Sequence, residues 1–374
     1  MRVLIIGSLA RSLRNFRGAL IEDMLAAGHE VTVAAPGLIS DEETSEWLRE
    51  RGAICHDVFL SRAGLSPISD LLALIGLFWL MRRTRPDTVL SYTIKPVIWG
   101  GIAAWLARVP QRVALITGLG YAFTGDARGK RALIRRLVSW LYGTSLRRAT
   151  LVFFQNADDR DDFYRWGILC DAVSVELVNG SGVDTDAFAP AALPDTPPRF
   201  LLIARLLGDK GIREYAQAAA RLRVRHPQAE FHLVGPLDSN PEGISEAEVR
   251  GWHDAGDLIW HGGLRDVRPA IAASHVYVLP SYREGMPRTV LEAMSMGRAV
   301  ITTDAPGCRE TVQKNVNGFL VPVRDVPALE AAMERFILAP ELVARMGPES
   351  RRIAVETYDV REVNTAMMAA MGLA

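Results

Sequence analysis

The chain has 374 residues, enough for two domains of ordinary size, and its 49% hydrophobic and 23% charged residues are a globular composition with ample core. Its 43 basic and 43 acidic residues cancel, which argues against a general polyanion binder. Three scattered cysteines, Cys55, Cys170 and Cys308, offer neither a disulfide framework nor a CxxC zinc pattern.

The run Val3–Gly7 reads as a buried strand rather than a signal peptide, because Arg11 follows so soon. Helical spacing over Phe16–Ala27 stops at Gly28. Glu30–Ala35 is a strand ended by Pro36-Gly37, Asp41–Arg51 a helix, and Ile54–Phe59 a strand. Ile68–Arg83 is a strongly apolar helix, Asp87–Ser91 a strand, Val97–Leu106 a helix and Arg112–Thr117 a strand. The longest near-apolar runs, Leu71–Met81 and Val97–Ala107, are 11 residues each. Both fall short of the roughly 18–20 that span a bilayer. Val178–Phe188, rich in Gly, Asn and Asp, and the Pro-rich Pro190–Arg199 break the rhythm and mark a junction. The alternation then restarts. Strands are predicted at Phe200–Ala204, Glu230–Gly235, Leu258–His261, Val276–Pro280 and Ala299–Thr303, with a helix over Ile212–Arg225. Such alternation implies right-handed crossovers and parallel sheets. The expected fold class is α/β: two Rossmann-like domains with doubly wound parallel sheets, covering 1–180 and 181–355. Facing each other, they would form a cleft at the carboxyl ends of their strands.

Two segments carry chemistry. In "SYREGMPRTVLEAMSMG", Ser281–Gly297, Glu284 sits in the turn after a strand and Glu292 inside the next helix. Pro287 suits the first helical turn, and the amides near Pro287–Val290 with the positive helix end make an anion site. Glu292 can accept from vicinal ribose hydroxyls. In "ARLLGDKGI", Ala204–Ile212, Arg205 and Lys210 flank a glycine-containing loop after another strand, an arrangement suited to a diphosphate. Either segment alone is compatible with solvated surface charge; the pair is far more specific.

Together these motifs resemble the retaining glycosyltransferases of family 4, which have the GT-B fold. "NGSGVDTDAFAP" (Asn179–Pro190), "TDAPGCRETV" (Thr303–Val312) and "NGFLVPVRD" (Asn317–Asp325) resemble further motifs of that family. The resemblance implies that Glu284 contacts the donor sugar, Glu292 the ribose, and Arg205 and Lys210 the diphosphate, with Gly285, Met286 and Pro287 completing the donor loop. It also implies that the last helix, about Pro348–Met371, crosses back to the first domain, with 356–374 as that returning segment. No metal or other cofactor is expected. Asp184-Thr185-Asp186 matches a metal-binding motif of another glycosyltransferase fold but lies in the junction. The histidines lack zinc-ligand spacing, and His261 reads as a satisfied turn residue. Asp158–Asp162 reads as a solvated helix start.

"LRNFRGALI" (Leu13–Ile21), "SYTIKPVIWGGIAA" (Ser91–Ala104) and "LITGLGYAFTG" (Leu115–Gly125) are similar to the bacterial members that extend undecaprenyl-diphosphate-linked sugars. The implied reaction moves a hexose or N-acetylhexosamine from a UDP-sugar to a lipid-linked glycan acceptor. Asn15, Arg17, Tyr92, Thr93, Lys95 and Tyr121 are the acceptor-side candidates, with Lys95 facing the lipid diphosphate. Many family members carry a His after the strand at Arg112–Thr117; here Thr117-Gly118-Leu119-Gly120 follows. The alternatives are another GT-B enzyme, such as a UDP-sugar 2-epimerase, and a non-catalytic nucleotide-sugar sensor.

Ala127–Ala157 contains no acidic residue but seven basic ones, with Trp140 and Tyr142 interleaved. Lys130, Arg131, Arg135, Arg136 and Trp140 are the expected contacts with the inner face of the cell membrane. Nucleic acid is not expected, since no binding motif accompanies the charge.

Overall fold

The structure is a computed structural model that describes residues 1–61, 66–119, 123, 130–238, 240 and 243–374, without the side chains of Lys130 and Arg131. The chain divides into two compact units, Met1–Ser181 with Arg361–Ala374, and Gly182–Val360.

The first unit runs β1 (Arg2–Ile6), α1 (Ala10–Ala26), β2 (Glu30–Ala35), α2 (Glu42–Glu50), β3 (Ile54–Asp57), α3 (Pro67–Thr84) and β4 (Thr88–Tyr92). A π-helical turn, Pro96–Gly100, leads into α4 (Gly101–Leu106). Then come β5 (Gln111–Ile116), α5 (Lys130–Leu146), β6 (Leu151–Phe154), α6 (Ala157–Arg165) and β7 (Ser174–Leu177). Among the described residues these strands form one parallel sheet in the order β3-β2-β1-β4-β5-β6-β7. Val3, Leu4, Ile5 and Ile6 are all buried, because helices cover both faces of a parallel sheet. One face packs on α3, α4 and α5, the other on α1 and α2.

The second unit repeats the plan with β8 (Arg199–Ile203), α7 (Ile212–Arg225), β9 (Glu230–Val234), α8 (Glu246–Asp254), β10 (Ile259–Trp260) and α9 (Arg268–Ala272). β11 (Val276–Leu279), α10 (Arg288–Ser295), β12 (Ala299–Thr303), β13 (Gly318–Val321), α11 (Val326–Leu338) and α12 (Glu341–Tyr358) follow. The sheet order is β10-β9-β8-β11-β12-β13, again parallel. In both units the strand order reverses between the first and fourth strands, β1/β4 and β8/β11. Connections leave to opposite sides there, which opens a crevice at the strands' carboxyl ends.

The expected single C-terminal helix is broken. α12 ends at Tyr358, the chain extends at Asp359, and α13 (Val360–Ala370) begins. Asp359 accepts a hydrogen bond from Thr185 Oγ1. Val183 pairs with the residues on either side of Asp359: Val183 N donates to Tyr358 O at 2.8 Å, and Val360 N to Val183 O at 3.0 Å. Gly182, at φ +66°, meets Val360 so closely that a Cβ would lie 2.6 Å from its Cα. α13 then packs Val363, Met367 and Met368 into the first unit's core. Asn364 Nδ2 donates to Asp23 at 2.6 Å there. In the second unit, fully buried Arg298 donates to the carbonyls of Ile271, Ala191, Ala192 and Ala272, and burial lowers its pKa to about 10. It fastens the segment after the junction to the end of α9.

Candidate functional site

The second unit's switch point brings the two sequence motifs together. β8 and β11 are neighbours, so the loops that follow them leave side by side. After β8 a short 3₁₀ turn, Gly208–Lys210, ends in Gly211 at φ +71°. A Cβ on Gly211 would sit 2.0 Å from Pro280 O, so only glycine lets the two loops approach this closely. Tyr282 N donates to Asp209 O at 2.8 Å and Ser281 Oγ to the same carbonyl at 3.2 Å. Tyr282 Oη reaches Glu214 at 2.5 Å. These bonds hold Lys210 against Glu284, with Nζ to Oε1 at 2.6 Å and both side chains 16% exposed. Burial works against the Lys210 charge, but Glu284 outweighs it and holds the ammonium above its ordinary pKa.

The loop after β12 buttresses Glu284 from behind. Glu284 N donates to Pro306 O at 3.0 Å, and Thr303 Oγ1 donates to Ser281 O. Gly307, at φ +78°, lies so close that a Cβ would stand 2.2 Å from Glu284 O. The glycine of "TDAPGCRETV" is therefore a backbone requirement of the Glu284 loop. Sequence reading missed Asp209, Tyr282 and Thr303; their adjacency to the motif residues was the available signal.

Arg205 is half-exposed and its Nη1 donates to Asp238 Oδ2 at 3.0 Å. Its charge is near enough to act on Lys210. Glu292 is only 7% exposed and pairs with Arg288 Nε at 3.0 Å. Burial raises its carboxyl pKa, and Arg288 offsets this in part. Gly285 and Pro287 are buried, and Met286 packs on the core below. Pro287 departs from expectation. It is the extended residue before α10 rather than part of its first turn, and its carbonyl already accepts from Val290 N at 3.0 Å. Val290 thus drops out of the expected anion site.

Asp184 Oδ1 accepts from the amides of Asp186 at 3.0 Å and Ala187 at 2.9 Å, which uses it as a turn former. His261 and His232 stack with centroids 5.1 Å apart, and their ring nitrogens meet at 2.8 Å. His232 in turn meets Glu230 at 3.1 Å, so His261 is satisfied within a polar chain. Among the described residues no group of three or more His, Cys, Asp or Glu is placed to hold a metal ion.

At the first unit's switch point, between β1 and β4, several acceptor-side candidates converge. Thr93 has φ +68°, a costly conformation for a β-branched residue, and donates to Ser8 Oγ at 2.9 Å. Lys95 Nζ meets Asp70 Oδ1 at 2.8 Å, with side chains 11% and 8% exposed. Tyr92 is buried: its hydroxyl meets Ser12 Oγ at 2.7 Å, and Arg17 lies over its ring at 5.3 Å. Burial pushes the Tyr92 phenol up to about 12. Tyr92 and the buried Arg17 therefore form the floor of this region rather than a surface for ligand. Asn15 is exposed, two residues from Arg17 and so on another face of α1. Tyr121 lies outside the described residues, as do the side chains of Lys130 and Arg131.

On α5, Arg136 and Trp140 are exposed as expected. Arg135 instead lies over Trp166, 4.5 Å from the ring centroid. Tyr142 is buried against Phe163 at 5.3 Å and cannot serve an interface. The acidic start of α6 is also less solvated than read: Asp159 and Asp162 are buried, and Asn156 caps the helix by accepting from Asp159 N at 2.8 Å.

The architecture is that of the GT-B glycosyltransferases. Sucrose-phosphate synthase from Thermosynechococcus elongatus superposes with a TM-score of 0.82 at 19% identity, covering 99% of this chain and 98% of that one. Anabaena HepE, solved in complex with UDP, superposes with a TM-score of 0.78 at 17% identity over the whole of both chains. Residues 14–180 match the glycosyl transferase 4-like domain and residues 197–338 the glycosyl transferases group 1 model, and the chain belongs to this glycosyltransferase family. It is 27% identical over 372 residues to the N,N'-diacetylbacillosaminyl-diphospho-undecaprenol alpha-1,3-N-acetylgalactosaminyltransferase of Campylobacter jejuni, covering 96% of this chain and 95% of that protein. It is also 27% identical, over 287 residues, to the UDP-Gal:alpha-D-GlcNAc-diphosphoundecaprenol alpha-1,3-galactosyltransferase of Escherichia coli, covering 72% and 71% of the two chains.

Proposed function

We propose that this glycosyltransferase moves a hexose or N-acetylhexosamine from a UDP-sugar, with retention, to a sugar carried on a lipid diphosphate in bacterial glycan or polysaccharide assembly. The observation that carries the reading is the Lys210–Glu284 pair at the β8/β11 switch point, with Arg205 near Lys210 and Glu292 on α10, the helix that follows Glu284. A diphosphate entering there meets the Lys210 ammonium and the Arg205 fork. Glu284 accepts from the sugar hydroxyls, and Glu292 from the ribose. The bond from the anomeric carbon to the diphosphate breaks, and the acceptor hydroxyl bonds to that carbon on the same face. The acceptor proton passes to the departing phosphate oxygen, and UDP leaves. Charge develops on that phosphate, so Lys210 and Arg205 act where electrostatic stabilisation counts most. Two side-chain cations beside a helix start serve this purpose without a metal.

In the first unit, Lys95 is the group offered to the acceptor's diphosphate, with strained Thr93 beside it. The names of the Campylobacter and Escherichia relatives support a lipid-diphosphate acceptor. Basic α5, with exposed Arg136 and Trp140, supports a peripheral seat on the inner membrane face.

The test is product formation in EDTA from a panel of UDP-sugars and a polyprenyl-diphosphate-linked sugar, with the anomeric configuration read by NMR. An α-linked product from an α-UDP-sugar, formed without metal, is expected. Epimerised donor in the absence of acceptor would replace this reading with that of an epimerase, and an inverted product would overturn retention.

A further inference from the structure

α3 is inside out. Its buried side chains are Asp70, Ala73, Leu77 and Met81, while Ile68, Leu71, Leu72, Ile75 and Trp79 face solvent. Ile68 is 74% exposed and Trp79 65%. Their spacing of three and four residues makes one continuous stripe along the helix, which ends in exposed Arg82 and Arg83. Soluble monomers rarely leave so long an apolar stripe uncovered. α4 packs beside α3 and exposes Trp105 and Leu106; α5 lies next to α4 and exposes Leu133, Leu137 and Trp140.

Charge decides what covers this surface. α4 and α5 contain no acidic residue, and α3 has only Asp70, which is 5% exposed and paired with Lys95. The chain as a whole is neutral, so this bias is local. A second copy docked face to face would oppose arginine to arginine. An anionic bilayer offers acyl chains to the stripe and phosphates to Arg82 and Arg83. Among the described residues no helix is long and apolar enough to cross a membrane, so α3 would lie along one.

We propose that α3 is the element that seats the first unit in an anionic membrane, with the Ile68–Trp79 stripe at the boundary between headgroups and acyl chains. This rests on the reading of a membrane-borne acceptor given above and deepens it. The buried face of α3 holds Asp70, and Asp70 holds Lys95 just beyond the carboxyl end of β4. One helix diameter, about 10 Å, therefore separates the seated stripe from Lys95. A diphosphate carried at the membrane surface is brought to the lysine with no further search.

The test uses the full chain and vesicles of phosphatidylglycerol and phosphatidylethanolamine, against pure phosphatidylcholine. The wild type is expected to float with the anionic vesicles. The double variant Ile75→Glu with Trp79→Glu is expected to lose at least tenfold in vesicle partitioning. Its turnover on a long-chain acceptor in vesicles should fall in step, while turnover on a short-chain soluble acceptor stays unchanged. A wild-type melting curve together with that short-chain turnover, which needs both units, shows that the variant is folded. Flotation of the double variant equal to wild type overturns the proposal. So does a wild-type dimer that the same variant turns into a monomer without any vesicle binding. Should UDP fail to bind while flotation still depends on the stripe, the donor reading falls and the seating of α3 stands.

Discussion

Lys210→Ala is expected to lower kcat about 10²–10³-fold, the loss typical of removing one preorganised charge-stabilising group from a transition-state site. The reason lies in the geometry. Lys210 is held 2.6 Å from Glu284 at the point where the loops after β8 and β11 meet, and Glu284 keeps it cationic against the pull of burial. A structural role alone would also make this variant weak, because it takes the Lys210 ammonium away from the Glu284 carboxylate in a mostly buried place. The two explanations separate in the double variant Lys210→Ala with Glu284→Ala. Removing both partners takes away the buried carboxylate as well, so the melting temperature should recover toward wild type. Turnover should stay low. Recovery of both would mean that the pair serves the fold and not the reaction.

Asp70→Asn is expected to destabilise the first unit by about 3 kcal/mol, the low end of what breaking one side of a buried ion pair costs. For a domain of this size that is a fall of about 2–4 °C in melting temperature per kcal/mol. Asp70 and Lys95 are 8% and 11% exposed, so water does little to replace the lost partner. UDP affinity should be unchanged, since the nucleotide groups belong to the other unit. A melting temperature within a degree of wild type would show that Lys95 is less confined than its contacts imply.

The alternation of short apolar strands with amphipathic helices made both sheets legible, because parallel strands covered on both faces must be continuous apolar runs. Motif spacing made Glu284, Glu292, Arg205 and Lys210 legible as a group. The direct Lys210–Glu284 contact was not, since it depends on the order reversal that makes β8 and β11 neighbours across 74 residues of sequence. The short strands β6, β7 and β13 are not legible from the alternation, and the π-helical turn before α4 reads as ordinary helix. In the sequence α3 reads as a strongly apolar helix with the basic cluster Arg82, Arg83 and Arg85 at its end. A helix apolar all round does not say in its sequence which face stays outside, and burial of Asp70 decided it. Tyr142 reads as an interface residue from its basic neighbours but lies on the core side of α5.

The most direct measurement is calorimetric titration of the purified chain with UDP, GDP and ADP in EDTA, for wild type and Glu292→Gln. The account predicts saturable, metal-independent binding that prefers UDP and weakens at least tenfold in Glu292→Gln, which cannot accept as strongly from the ribose hydroxyls. Equal affinity of the variant, or no binding of any nucleotide, would contradict the assignment of the β8/β11 crevice as the donor site.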